Sequence, residues 1–240
     1  MERTKLYWIL GFVGVLLSMT GDLLLGAHVH PDAADAYTRL MLGCSLVPHH
    51  FVALGLFVGA IGIPMQYFGY ESVLSVVRSS GRCATLCRLI HWGNISIAFW
   101  GASVHILCSI LMLMMKLYPI SPEMLVGNNM TDILGSLPPA LVDFTLYYLM
   151  PITAVMLLFY YLMAVSLFLA IVLGKTSLPR WACLFNPMLV EVLMNCLPNV
   201  NNAFVNGLLM SNMALGGLIT FTGILLTHRL AGRSNTCAHS

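Results

Sequence analysis

Charge is what this sequence has least of. Only 8% of its 240 residues are Asp, Glu, Lys or Arg, against about 25% in soluble domains. So few charges cannot cover a water-exposed surface, which excludes an ordinary soluble domain and leaves lipid as the solvent for most of the outside. A net charge of +2 is too small to suggest nucleic acid binding. There is no Gly-rich phosphate loop and no visible internal repeat. The seven cysteines lack the even, close spacing of a disulfide scaffold and the Cys-x-x-Cys of a zinc site. They read as inert membrane thiols, although Cys83 and Cys87 flank a basic stretch of the kind where palmitoylation occurs.

What the chain does have is apolar length, with 59% of its residues hydrophobic. A helical span needs roughly 20 apolar residues, so the length holds about six spans with short loops and no separate soluble domain. The expected architecture is all-α: a polytopic membrane protein, one six-transmembrane-helix bundle over residues 1–240. The spans are expected at about 6–27, 45–69, 89–115, 141–173, 184–198 and 203–227. Arg3 and Lys5 ahead of the first run resemble a signal-peptide n-region. That run is at the upper limit for such a segment and Asp22 follows it, so it is read as a retained span. Asn186-Pro187 and Pro198-Asn199 bracket the fifth span as breakers.

Basic residues alternate along this pattern. Arg3, Lys5, Arg78, Arg82, Arg88, Lys175, Arg180, Arg229 and Arg233 fall on one side, nine of the eleven Lys and Arg, and only Arg39 and Lys116 on the other. The positive-inside rule makes the rich side cytoplasmic, with both termini inside. The glycosylation sequon Asn129-Met130-Thr131 then falls in an outer loop.

Several polar side chains lie in or at the ends of these spans. Such groups are costly in a bilayer, and each is by default a functional-site hypothesis. Asp22, Glu191, His105, His49 and His50 are the candidates for chemistry, and Asn195, Asp143, Trp100 and Asn206 for substrate binding. The orientation puts most of them in the outer leaflet, where they would form one pocket. Glu191 and Asn195 are four residues apart and share a helix face. Each has a plainer reading. Asp143, His49 and His50 would sit at the water interface, Asn206 would bond between helices, and Gly55 with Gly59 is a small-xxx-small packing face. Asp22 and Glu191 would each belong to a structural pair. His91, beside Trp92, falls at the inner interface.

A carboxyl group surrounded by hydrocarbon favours its neutral acid form and can serve as a general acid, with a nearby histidine relaying the proton. That chemistry suits isomerisation, cyclisation or hydrolysis of a lipid-soluble substrate. Imidazole and carboxylate also bind zinc, but no His-x-x-x-His or His-Glu-x-x-His spacing occurs. Adjacent histidines on a helix diverge by about 100°. No metal and no cofactor is expected.

Gly21-Asp22-Leu23-Leu24-Leu25-Gly26, His91-Trp92, and Leu178-Pro179-Arg180-Trp181 followed by Asn186-Pro187 resemble a family of six-helix integral membrane proteins of unknown function. The resemblance implies the six-helix architecture over most of the chain and supplies no activity. Polytopic terpene cyclases and sterol isomerases share the size and the buried carboxylates, but none of their motifs is present, and architecture alone does not carry function.

The leading expectation is a multi-pass membrane enzyme acting on a lipid or isoprenoid-type substrate. Its partners are membrane lipid and a hydrophobic small molecule, with no nucleic acid. One alternative is a proton-coupled small-solute transporter, in which a homo-oligomer would stand in for the missing internal repeat. The other is a lipid-binding or scaffold protein.

Overall fold

The computed structural model describes residues 2–28, 46–78, 81, 83–118, 120, 124, 135–196 and 202–237, with side chains from residue 4 to 230. The sequon, Arg39, Arg82 and the Pro198-Asn199 turn lie outside the described residues.

All regular structure among the described residues is helical. Helix α1 is Glu2–Gly26, α2 His49–Arg78 and α3 Ala84–Leu117. Helix α4 runs over Pro139–Val172. Helix α5 is Pro187–Asn195, α6 Ala203–Met210 and α7 Asn212–Cys237. Five of them contain stretches long and apolar enough to cross a membrane: Thr4–Gly26, His49–Arg78, Ala84–Leu117, Pro139–Val172 and Asn212–Leu230. The chain is in this sense a multi-pass membrane protein. Its outward surface agrees, because Leu6, Ile9, Val13 and Leu16, at helical spacing along α1, are 40–53% exposed.

The helices extend beyond the expected spans. Helix α2 continues to Arg78 rather than ending near 69, and α3 begins at Ala84 rather than 89, so Arg78 and Arg88 are helical. Helix α4 contains one π-helical turn at Thr145–Leu149, just before Pro151. Proline gives no N–H and its ring crowds the carbonyl four residues back; a wider turn relieves that conflict.

The expected fifth span differs most. Helix α5 has nine residues, about 13.5 Å at 1.5 Å per residue, less than half of a roughly 30 Å hydrocarbon core. It follows a 3-10 segment, Arg180–Phe185. The interruption has a local cause. Asn186 is extended (φ −71°, ψ 133°) and its side chain accepts from Met188 N at 3.0 Å, with Pro187 in the first turn. The pair read as a breaker is therefore a helix cap. Asn186 Nδ2 also donates to Ala164 O in α4 at 2.8 Å. Asn186→Ala is expected to destabilise the protein by about 1–2 kcal/mol. Apparent melting in detergent would show it, with Asn186→Ser, which keeps a capping oxygen but not the bond to α4, falling between.

Helices α1, α2 and α3 pack antiparallel in sequence, and α4 and α7 close the bundle. Close approach of α1 and α2 rests on Gly11 meeting Gly69, where a side chain on either would strike the other backbone or the Phe221 ring. Phe221 takes edge contacts from Trp8, Phe12 and Tyr70 at centroid distances of 6.3, 6.0 and 4.8 Å. Two apolar cores result. The larger includes Tyr70, Leu74, Ile90, Tyr160, Met163 and Phe221; the smaller includes Leu25, Val52, Met112 and Leu141.

Candidate functional site

Between the two cores lies a cavity of about 220 Å³. Its wall takes Leu25 and Met112 from the smaller core and Tyr70, Met156 and Tyr160 from the larger. Ser18 and Asp22 come from one face of α1, and Gly101, His105, Cys108 and Met112 from one face of α3. Met210, Met213 and Ala214 flank Ser211, where α6 gives way to α7.

Asp22 and His105 are brought together here. His105 Nδ1 stands 3.3 Å from Asp22 Oδ1, and His105 Nε2 is 2.9 Å from Gly55 O. A carbonyl oxygen only accepts, so Nε2 carries a hydrogen and donates it. The Nδ1 side then shares one proton with the carboxyl group: either imidazolium faces carboxylate or imidazole faces carboxylic acid. Both ring nitrogens are engaged and His105 is 6% exposed. Asp22 keeps 23% of its side-chain surface open. A molecule in the cavity therefore meets the carboxyl group, with the imidazole as its support.

This geometry depends on Gly59. A Cβ there would fall inside the His105 ring. Gly55 and Gly59 do serve packing, since Gly21 of α1 sits against both. They also leave room for the imidazole against α2, where it reaches the Gly55 carbonyl.

One turn before Asp22, Ser18 Oγ donates to Gly14 O at 2.6 Å and accepts from Gln66 Nε2 at 2.5 Å. Ser18, Gln66, Tyr70, Cys108 and Tyr160 all line the cavity, and none stands out in the sequence. Ser18 was accessible from spacing, being four residues before Asp22 on the same helix face. Gln66 is the sole amide inside the second apolar run.

The other expected site residues do not line this cavity. His49, His50, Asp143 and Asn195 are exposed, and Asn206 and Trp100 partly so. Trp100 packs against the larger core and sits edge-on to Phe99 at 4.9 Å. Of the residues expected to share one pocket, Asp22 and His105 line this cavity. His49 and His50 open α2 and Asp143 lies in the first two turns of α4, away from the cavity wall. Glu191, 8% exposed, stands behind the cavity wall: its Oε1 accepts from Tyr161 at 3.1 Å and Tyr160 lies beside it. Asn195 shares the helix but not the burial.

A second carboxyl–imidazole pair occupies the other half of α2 and α3. His91 Nδ1 is 2.7 Å from Glu71 Oε1, and Asn94 Nδ2 donates to Glu71 Oε1 at 3.2 Å and to Tyr67 O at 3.0 Å. Glu71 lies past residue 69, the expected end of the second span, which is why it was no candidate. Cys83 and Cys87 are buried, 3.4 Å apart between sulfurs, which does not suit acylation. Among the described residues no cluster of three His, Cys, Asp or Glu could hold a metal ion.

No curated protein and no solved structure matches the chain. One family model does, over residues 1–230, described as a family of unknown function (DUF6796). That match supplies neither an architecture nor an activity. It covers nearly the whole sequence, and the chain belongs to this family of unknown function.

Proposed function

We propose that this protein is an integral membrane enzyme that admits a lipid or isoprenoid-type molecule to the cavity and acts on it by proton transfer at Asp22. The reaction class is isomerisation, cyclisation or hydrolysis. One observation carries the reading: a carboxyl–imidazole pair, its histidine buried and its carboxyl group partly open, borders a cavity whose wall is otherwise mostly apolar. A structural ion pair alone needs no such space beside it. In the proposal Asp22 exchanges the proton, and His105 holds the second proton site and fixes the carboxyl group.

The proposed topology has six crossings and cytoplasmic termini. Arg180–Phe185 and α5 together rise about 25 Å, taking roughly 2 Å per 3-10 residue and 1.5 Å per α residue, which approaches a bilayer core. The one-sided distribution of Lys and Arg supports the orientation. A reporter fused to the C-terminus is expected on the cytoplasmic face.

The enzyme reading is tested by incubating purified protein with a total membrane lipid extract and comparing lipid masses before and after. Conversion of one lipid class is expected. No conversion, together with solute flux in proteoliposomes, would favour the second reading, a carrier. Helix breaks at Asn186 and Ser211, the latter beside the cavity, favour that reading, because transporters build substrate sites from discontinuous helices.

A further inference from the structure

The cavity has a second polar end. Tyr70 and Tyr160 both line it, 3% and 2% exposed. Tyr70 lies eleven residues along α2 from Gly59, where His105 rests, roughly 16 Å along the axis. The Tyr160 hydroxyl makes no hydrogen bond of good geometry among the described residues, although the Glu191 carboxyl group stands beside it as a possible acceptor. A buried hydroxyl so loosely paired is rare. It borders a cavity, so a molecule there can supply the acceptor.

The charge around this end restricts which molecule. No Lys or Arg lines the cavity. His105, the one other basic group in its wall, is committed to Asp22 and Gly55. Glu191 stands behind Tyr160 with its Oε2 buried and unpartnered. A phosphate or carboxylate placed here would lose its hydration and find acidic neighbours and no counter-ion.

We infer that the cavity binds an uncharged, oxygen-bearing lipid — an alcohol, aldehyde or ketone on a hydrocarbon skeleton — whose oxygen accepts a hydrogen bond from Tyr160. The hydrocarbon then extends toward Asp22, between the methionine side chains of the wall. This rests on the enzyme reading only in taking the cavity as the substrate site. It narrows the substrate from lipids in general to unphosphorylated ones.

Four probes with one carbon chain test it: farnesol, farnesal, farnesene and farnesyl phosphate, each titrated into the full chain in a mild neutral detergent. Farnesol and farnesal are expected to bind at least 100-fold more tightly than farnesyl phosphate. Tyr160→Phe is expected to weaken farnesol about tenfold, the share of one hydrogen bond, and to leave farnesene unchanged. Farnesyl phosphate binding as tightly as the alcohol would overturn the inference. So would a farnesol-to-farnesene ratio that Tyr160→Phe does not alter, or binding of none of the four. If Tyr160→Phe does not fold, the order of the four probes on the unaltered protein decides. Asp22→Asn separates this inference from the enzyme reading. Retained turnover in that variant sinks proton transfer at Asp22 while leaving the neutral-lipid preference standing.

Discussion

Asp22→Asn is expected to leave the bundle folded and to lower turnover of the lipid substrate by roughly 10²–10⁴-fold, the usual contribution of general acid–base catalysis. Asparagine has nearly the same shape and can still bond to His105 Nδ1, so the wall of the cavity survives. It has no exchangeable acid proton, so the chemistry does not. Substrate affinity is expected to change little, since the amide occupies the same space, and the loss should fall on kcat rather than KM. Unchanged kcat in a folded Asp22→Asn protein would reduce the Asp22–His105 pair to a structural contact.

Gly59→Ala is expected to be strongly damaging. The added carbon overlaps the His105 ring itself, and the ring cannot retreat without losing both Gly55 O and Asp22. Overpacking of this kind costs about 1–3 kcal/mol, and a displaced, unpaired imidazole in low dielectric adds to it. The apparent melting temperature should fall and turnover should be lost with it. The double variant Gly59→Ala/His105→Ala removes the overlap. It should recover stability relative to Gly59→Ala alone without recovering turnover, a coupling that a double-mutant cycle measures. Strict additivity of the two changes would mean that Gly59 serves α1–α2 packing and not the imidazole.

The long helices were legible because lipid imposes one requirement on every residue of a span. Backbone groups must be satisfied internally and the surface must be apolar, so composition alone marks them. Their ends were less legible. Glu71 and Arg78 look like loop residues by charge, yet they lie on α2, where Glu71 finds His91 and Asn94. The short α5 was legible in part: Asn186-Pro187 marked its start in the sequence, whereas the 3-10 geometry of the apolar stretch before it, Arg180–Phe185, did not show.

In the site, Asp22 and His105 were legible as costly residues in apolar runs, and the depth of each in its span brought them to the same level. Hydropathy cannot say which face a residue presents. Asn195 is four residues from Glu191 but exposed, and Asn206 does not line the cavity. Nor could it find Tyr160, whose hydroxyl is carried on a large, largely apolar side chain and becomes visible only when neighbouring helices leave it beside an unfilled space. Gln66, the sole amide in the second apolar run, did carry a signal in the sequence.

Native mass spectrometry of the full chain, released from a mild detergent, tests the central claim most directly. A retained mass of an uncharged lipid, lost on prolonged delipidation, is the predicted result, and its identity would define the substrate for the Asp22→Asn comparison. A bare polypeptide in every mild detergent tried, or a retained mass of metal-ion size, would contradict a lipid-binding acid–base site in this cavity.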